Sequence, residues 1–465
     1  DSGRKGREHK TQTPSTLTMK VLPLLQQAFP SASGYENLVT VIQANAEGHL
    51  VKIESASPGS PDPAMPATAF VKQVDAKHYA ETKSWTDLRR TLMYCRTEVR
   101  FYKEILPDLS STSSFFANAT PTVWLAQYNL DGLITEDEGA TDPSGTGPVD
   151  MNWMTCNSGG ISGMETDQDM NTKGGFLVME GISQKDYFQD SPITMDQAKQ
   201  TLAAIAGLHA AAWENQDILI KSQERLSRGS YHLKTRNPKE LAGMPEAWSS
   251  FVKAFQKLDT NGIFEKCGPD FGKRIQNLAE YICQKTSPGP TDPYATLSHG
   301  DFKAMNCFLP ATKDGEQRGV VMVDFASIGV GLGMQDVAMH IHHAVRAEDL
   351  ADGGEMLLVD HYLNVLNDLL QQRQSKNGKG GEKQDLYPRD VALQHYQLAV
   401  ADYFRFFLGR FWKSATPELF SKKKDSKNTA LINRDVDAAF AFLERVQMYV
   451  TQIEMDRKKE MEICG

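Results

Sequence analysis

Several features are scarce in this chain of 465 residues, and each scarcity narrows what it can be. No apolar run approaches the roughly 18 residues that mark a membrane-spanning helix, so a membrane span is not expected. Basic residues are in the minority, with 50 Lys and Arg against 59 Asp and Glu and a formal net charge of −9. Binding a nucleic-acid backbone relies on a concentrated basic surface, so nucleic acid is not an expected partner. The acidic balance leaves room for a cationic small molecule. Cysteine is sparse: Cys95, Cys156, Cys267, Cys283, Cys307 and Cys464 form no Cys-x-x-Cys pair and no dense block. That favours a reducing compartment and a cytoplasmic location. The first residue is Asp1, not Met, so a targeting segment upstream stays open.

What is present is ordinary in bulk and patterned in detail. Hydrophobic residues make up 40% and charged residues 23%, as in a soluble globular protein, and the length predicts two or three folding units. Residues 1–16 are polar and basic and read as a disordered arm. Helical spacing follows over 17–29, then two β-prone runs, LVTVIQAN and HLVKIE, read as a hairpin. Lys72 lies in a further strand, ATAFVKQV, and Glu98 in a helix over 88–106. Residues 115–128 read as another strand. Residues 131–175 are acidic and rich in Gly, Ser and Thr, either a surface insertion or an acidic lid. GGFLVMEGI gives a buried strand, after which helical patterns dominate: 194–213, opened by a Thr-x-x-Gln capping box, then 245–258, 271–284, 393–413 and 434–458.

The chemistry concentrates in residues 297–336. His299, Asp301 and Asn306 stand at short spacing in HGDFKAMN, and Asp324 follows the apolar run VVMV. A carboxylate on a loop, an amide five residues on and a second carboxylate ending a strand suit phosphoryl transfer. In that reaction a protein mainly positions a hydroxyl, holds magnesium and neutralises phosphate charge. Asp301 is the candidate to orient and deprotonate the hydroxyl. Asn306 and Asp324 are the candidate magnesium ligands.

At these residues the sequence resembles the protein-kinase-like small-molecule kinases: aminoglycoside phosphotransferases, choline kinases and the ecdysteroid-kinase-like group. HGDFKAMN matches their catalytic loop, VVMVDF their metal-binding Asp, and Gly331, Gly333, Asp336 and Ala338 their Gly-rich segment leading to a structural Asp. The resemblance implies an α+β, bilobal fold, with a small antiparallel-sheet N-lobe over 17–180 and a larger helical C-lobe over 181–465. It implies ATP and Mg2+ as cofactors and a small-molecule hydroxyl as acceptor. It gives Lys72 the α- and β-phosphates, with Glu98 as its partner. The adenine goes to the carbonyl of Glu180 and the amide of Ile182, with Met179 lining the pocket. His299 would orient the loop, and Lys303 would either reach the transferring phosphoryl group or face solvent.

The chain departs from the pattern at the phosphate-covering turn, which is poor in glycine, so no residue is assigned there. Three absences argue against a protein kinase: no Gly-x-Gly-x-x-Gly before Lys72, Asp-Phe-Ala at Asp324, and no Ala-Pro-Glu after it. A non-catalytic nucleotide-binding scaffold on the same fold is the alternative. His209 reads as a packed helix histidine, and His340, His342 and His343 do not converge as metal ligands. The aromatics between Tyr396 and Trp412 read as core or as a pocket for an amine.

Overall fold

Alternation along one strand sets the layout. In β3 (Thr68–Asp75), Ala69 and Val71 point to one face of the sheet and Phe70, Lys72 and Val74 to the other, as a period of two requires. The computed structural model describes residues 14–30, 39–44, 48–53, 66–81, 83, 85–113, 115–134, 170, 172–226, 231–236, 238–311, 319–376 and 386–464. Within these, β1 (Val39–Ala44), β2 (Gly48–Ile53), β3, β4 (Val123–Asn129) and β5 (Gly174–Glu180) form a fully antiparallel sheet in the order β1-β2-β3-β5-β4.

Helix α1 (Pro14–Ala28) covers the first face. Its Val21, Leu24 and Leu25 pack with Val51, Ile53, Ala69, Val71 and Val178, and Phe29 meets Trp124 edge-on at 5.2 Å. The helix begins with Pro14, whose missing N–H costs nothing at a first position, so it starts inside the expected arm. The rest of that arm lies outside the described residues.

Helix α2 (Trp85–Arg100) packs on the other face. It comes so close at β5 that a side chain on Gly175 would meet the Cys95 sulfur at 2.5 Å. Regular α-geometry ends at Arg100, short of the expected boundary, and a π-helical turn, Phe101–Ile105, follows. The expected strand over 115–128 opens with a helical turn: Phe116–Ala119 is closed by the Thr120 hydroxyl donating to the Phe116 carbonyl at 3.1 Å. Pro121, which has no N–H, precedes the start of β4 at Val123. Most of the acidic stretch 131–175 lies outside the described residues.

The remainder is helical. Its longer helices are α3 (Met195–Ala212), α4 (Met244–Phe255), α5 (Phe271–Lys285), α6 (Gly333–Ala344), α7 (Gly354–Lys376), α8 (Arg389–Arg410) and α9 (Val436–Cys464). The capping box at Thr194 and Gln197 is formed in both directions. Every residue of α6 is buried, enclosed by α3, α7 and α8. Short strands carry the loops beneath the sheet: β7 (Thr296–Ser298) pairs with β10 (Gly329–Gly331), and β8 (Cys307–Pro310) lies between β6 (Tyr187–Phe188) and β9 (Val321–Met322). This is the expected α+β, bilobal architecture. Among the described residues no helix is long and apolar enough to cross a membrane.

Leu25 is fully buried under the sheet. Leu25→Ala should therefore destabilise the protein by about 2–5 kcal/mol, read as a lowered denaturant midpoint. An unchanged midpoint would mean that α1 is not an integral layer.

Candidate active site

Lys72 sits where β3, α2 and the loop after β9 meet. Its Nζ donates to Glu98 Oε2 at 2.7 Å and to Asp324 Oδ1 at 2.9 Å. Burial alone would push the Lys72 ammonium down, but Asp324 and Glu98 hold it well above the ordinary lysine value. Burial likewise opposes ionisation of Asp324, yet Lys72 and Lys303 bring its carboxyl well below the usual range. Asp324 has a left-handed backbone, φ +65°, which residues other than glycine adopt at a cost of roughly 1–2 kcal/mol. Phe325 is fully buried just beyond it, stacked on Phe101 at 4.3 Å, with the His299 ring at 4.7 Å. The π-helical turn at the end of α2 is thus packed directly against the Asp-Phe segment.

Asp301 lies on a loop held by its neighbours' backbone. Asp336, fully buried on α6, accepts the His299 amide at 2.6 Å and the Gly300 amide at 2.9 Å. Gly300 has φ +79°, a conformation natural to glycine. Burial opposes ionisation of Asp336, but hydrogen bonds from His209 and Gly300 keep its carboxyl below the ordinary value. An ionised carboxylate only accepts, so His209 donates from Nε2 at 3.1 Å and takes the Tyr362 hydroxyl on Nδ1 at 2.7 Å. His209 is a core residue that steadies Asp336.

The same logic fixes His299. Its Nε2 faces the Val323 carbonyl at 3.1 Å and must donate, leaving Nδ1 to accept the Asp301 amide at 3.4 Å. Asn306 donates its amide nitrogen to the Asp301 carbonyl at 2.8 Å and to Asp301 Oδ2 at 3.3 Å. That commitment leaves the Asn306 amide oxygen as its ligand atom, suited to a hard cation. Lys303 Nζ is 2.9 Å from Asp301 Oδ2, so it turns inward rather than to solvent.

Met179, Glu180 and Ile182 lie where β5 runs into the helical part. Leu177 pairs with Lys72, so Glu180, three residues further on, is about 10 Å along the strand. The Glu180 amide donates to Thr122 O at 2.8 Å, and its carboxylate accepts the Thr122 amide at 3.1 Å. Ile182 packs with Tyr187 and Val321, and Met179 is buried. None of the three lines the main cavity.

That cavity, about 530 Å3, opens between the Lys72 face of the sheet, one face of α2 and the loops bearing Asp301, Asp324 and Ser327, and is large enough for a drug-sized molecule. Its wall also holds Lys83, Arg90, Tyr94, Arg236 and Arg410, which sequence reasoning missed. These are residue types ordinary on helix surfaces, and nothing local marks them as convergent. Lys72, Lys83, Arg90, Arg236 and Arg410 share this wall with four carboxylates, Asp87, Glu98, Asp301 and Asp324. The aromatics of α8 do not line it; Tyr396, Tyr403, Phe404 and Phe407 are core. His340, His342 and His343 face separate partners: Thr201 with Phe302, Tyr396 with Glu355, and an apolar setting that pushes His343 down to about 3.

Asp336→Ala removes the shared acceptor of three donors in a dry site and should cost at least about 3 kcal/mol, read by denaturant unfolding; a loss under about 1 kcal/mol would refute this role. The depressed carboxyl of Asp324 contributes stability that is full above its unfolded value of about 3.9 and is lost as pH falls through the lower folded value. The stability gap between wild type and Asp324→Asn should therefore hold from neutral pH to about 4 and shrink below it. Urea titrations at several pH values would show this, and a gap independent of pH would rule out the ionised pair.

Comparison with curated proteins gives no match. Among solved structures, the chain is similar to an aminoglycoside phosphotransferase from Alicyclobacillus acidocaldarius, at 10% identity over 97% of this chain and 99% of that one, with a TM-score of 0.39. It is also similar to Plasmodium vivax ethanolamine kinase, at 10% identity over 94% and 96%, with a TM-score of 0.39. A choline kinase from Cryptosporidium parvum Iowa II gives 11% identity over 96% of each chain, with a TM-score of 0.38. Residues 164–375, which hold His299, Asp301, Asn306, Asp324 and Asp336, match the model of the ecdysteroid kinase-like family, and the resemblance to the protein-kinase-like small-molecule kinase superfamily is thereby borne out.

Proposed function

We propose that this protein is an ATP-dependent phosphotransferase that moves the γ-phosphoryl group to a hydroxyl of a small molecule. The observation that carries the reading is the double contact of Lys72, to Glu98 at 2.7 Å and Asp324 at 2.9 Å, with Asp301 on the wall of the same cavity. The match to a kinase-like family over the catalytic loop supports it.

Each side chain then has a part. Asp301 orients the acceptor hydroxyl and takes its proton as the new bond forms. Lys303, already 2.9 Å from Asp301, balances negative charge on the phosphoryl group in transit. Lys72 steadies the α- and β-phosphates, and Glu98 keeps it aimed when a nucleotide draws it from Asp324. Asn306, through its amide oxygen, and Asp324 are the oxygen ligands suited to magnesium, which supplies charge neutralisation at the phosphates when bound. Glu180 and Ile182 offer main-chain groups to the base, with Met179 beside them. His299 is not a proton carrier in this scheme: its ring ties the Asp301 backbone to Val323, next to Asp324.

A small acceptor follows from the short path after the metal-binding Asp. Eight residues separate Asp324 from Gly333, where α6 begins, too few for a segment that docks a peptide.

The test is MgATP turnover against a panel of alcohols, amino alcohols, sugars and sterols, with phosphorylated product identified by mass. Asp301→Ala should lower the rate about 10²–10⁴-fold with its unfolding midpoint retained, and Asp324→Ala at least as much, assayed under conditions where that less stable variant is still folded, and chelation of magnesium should stop the reaction. Nucleotide binding without transfer to any compound would instead make the protein a scaffold.

A further inference from the structure

We propose that the cavity beside Asp301 receives an acceptor that carries an oxyanion, a carboxylate or a sulfate or phosphate ester, at the opposite end from the hydroxyl that is phosphorylated. The hydroxyl rests on the phosphotransferase reading; the anion rests on the cavity wall alone.

The charges of the wall fall into two groups. At the reactive rim every cation is paired, two ammonium groups facing three carboxylates: Lys72 with Glu98 and Asp324, and Lys303 with Asp301. Further along α2, the lining carries, among the described residues, Lys83, Arg90, Arg236 and Arg410 against one carboxylate, Asp87. Behind it, a single carboxylate serves two guanidinium groups: Glu240 takes Arg236 at 2.8 and 3.0 Å and Arg410 at 3.1 Å. Arg90 reaches Asp87 at 3.2 Å at the solvent edge, while its Nε is buried with no hydrogen-bond partner among the described residues. The four cations come from three separate stretches, Lys83 with Arg90, then Arg236 and Arg410, so their convergence is a property of the fold and not of one basic run. Burial, with Arg236 and Arg410 close by, pushes the Arg90 guanidinium below its ordinary value.

Like charges gathered around a cavity repel one another, and the repulsion is larger where water is excluded. An oxyanion relieves it, and the guanidinium fork matches its geometry better than an ammonium does. Between the two charged ends the wall is largely apolar, formed by Val74, Leu177, Cys95 and the ring of Tyr94. Arg90 and Glu98 lie two turns apart on one face of α2, on the order of 10 Å along the axis. The acceptor that fits has an apolar body of that length, a hydroxyl at the Asp301 end and an anion at the arginine end.

Matched probes separate this class from its alternatives: ω-hydroxyoctanoate, ω-hydroxyoctyl sulfate, ω-hydroxyoctanamide and ω-aminooctanol, titrated calorimetrically into the full-length protein with and without the non-hydrolysable analogue AMP-PNP and magnesium. The two anions should bind about tenfold tighter than the amide or the amine, with dissociation constants around 1 mM for ligands this small. The stronger of the two anions identifies the preferred headgroup. Arg90→Gln and Arg410→Gln, both at partly exposed positions, should each weaken the anions several-fold while leaving nucleotide affinity unchanged, and Arg90→Lys should restore part of the loss.

Equal or tighter binding of the amide or amine overturns the proposal. So does failure of both anions to bind at about 10 mM, or anion affinity untouched by either variant. Mutual exclusion of anion and nucleotide, with both variants weakening the nucleotide, overturns it as well by assigning the cluster to the nucleotide phosphates. Binding needs no turnover, so a protein that selects anions yet transfers no phosphate refutes the activity and leaves this inference standing.

Discussion

The ion pair between Lys72 and Asp324 joins residues 252 positions apart, and the two parts of the molecule are arranged around it. Lys72 belongs to the sheet, Glu98 to the helix behind it and Asp324 to the loop beneath. Glu98 is almost fully buried, so an unpaired carboxylate there would cost several kcal/mol. Lys72 reaches it from β3 at 2.7 Å, and that requires α2 to lie tight on the sheet, which Gly175 permits. The aromatic stack of Phe101 on Phe325 then fixes the far end of the helix to the residue after Asp324. One nitrogen and one ring pair set the distance between sheet and helical part.

A second buried carboxylate takes the structural load off the first. Asp336 holds the backbone of His299 and Gly300, and His209 with Tyr362 holds Asp336. The loop's shape is thereby fixed through its amides. Asp301 lines the cavity with its carboxylate held by Lys303 and Asn306, while the loop's backbone is held separately by Asp336. The same division explains why the chain tolerates a left-handed Asp324: the local cost is set against a buried Phe325 and an ion pair to Lys72.

Much of this was legible in the sequence where the signal is local. The hairpin, the strand bearing Lys72, the capping box of α3 and the order of the helices all follow from periodicity and end signals that lie within a dozen residues. The catalytic loop was legible because its chemistry demands certain residue types at short spacing. The pairing of Lys72 with Glu98 was legible only through resemblance, since 26 residues separate them and neither is unusual where it stands. The π-helical turn at Phe101–Ile105 was not, since no local signal marks it and the residue it packs against, Phe325, lies more than two hundred residues on. The strand expected across 115–128 is present only from Val123, because Phe116–Ala119 is helical and Pro121, which has no N–H, precedes the paired segment.

The charge of the cavity shows most clearly why composition misleads about a site. A net charge of −9 left room for a cationic ligand, but that total sums over a surface whose parts are screened from one another beyond about 8–10 Å. Within that distance of a bound acceptor the sum is taken over a few residues, and at the end of the cavity away from Asp301 Lys83, Arg90, Arg236 and Arg410 outnumber Asp87 and Glu240. Their exposed counterparts elsewhere on the protein contribute little to either sign. An acidic exterior around a basic cavity has a further consequence: non-specific anions are repelled at long range, and only a ligand whose length brings its oxyanion to the arginines while its hydroxyl meets Asp301 gains from both ends. Selectivity of that kind comes from the spacing between two charge clusters on one helix face, which no count of residues contains.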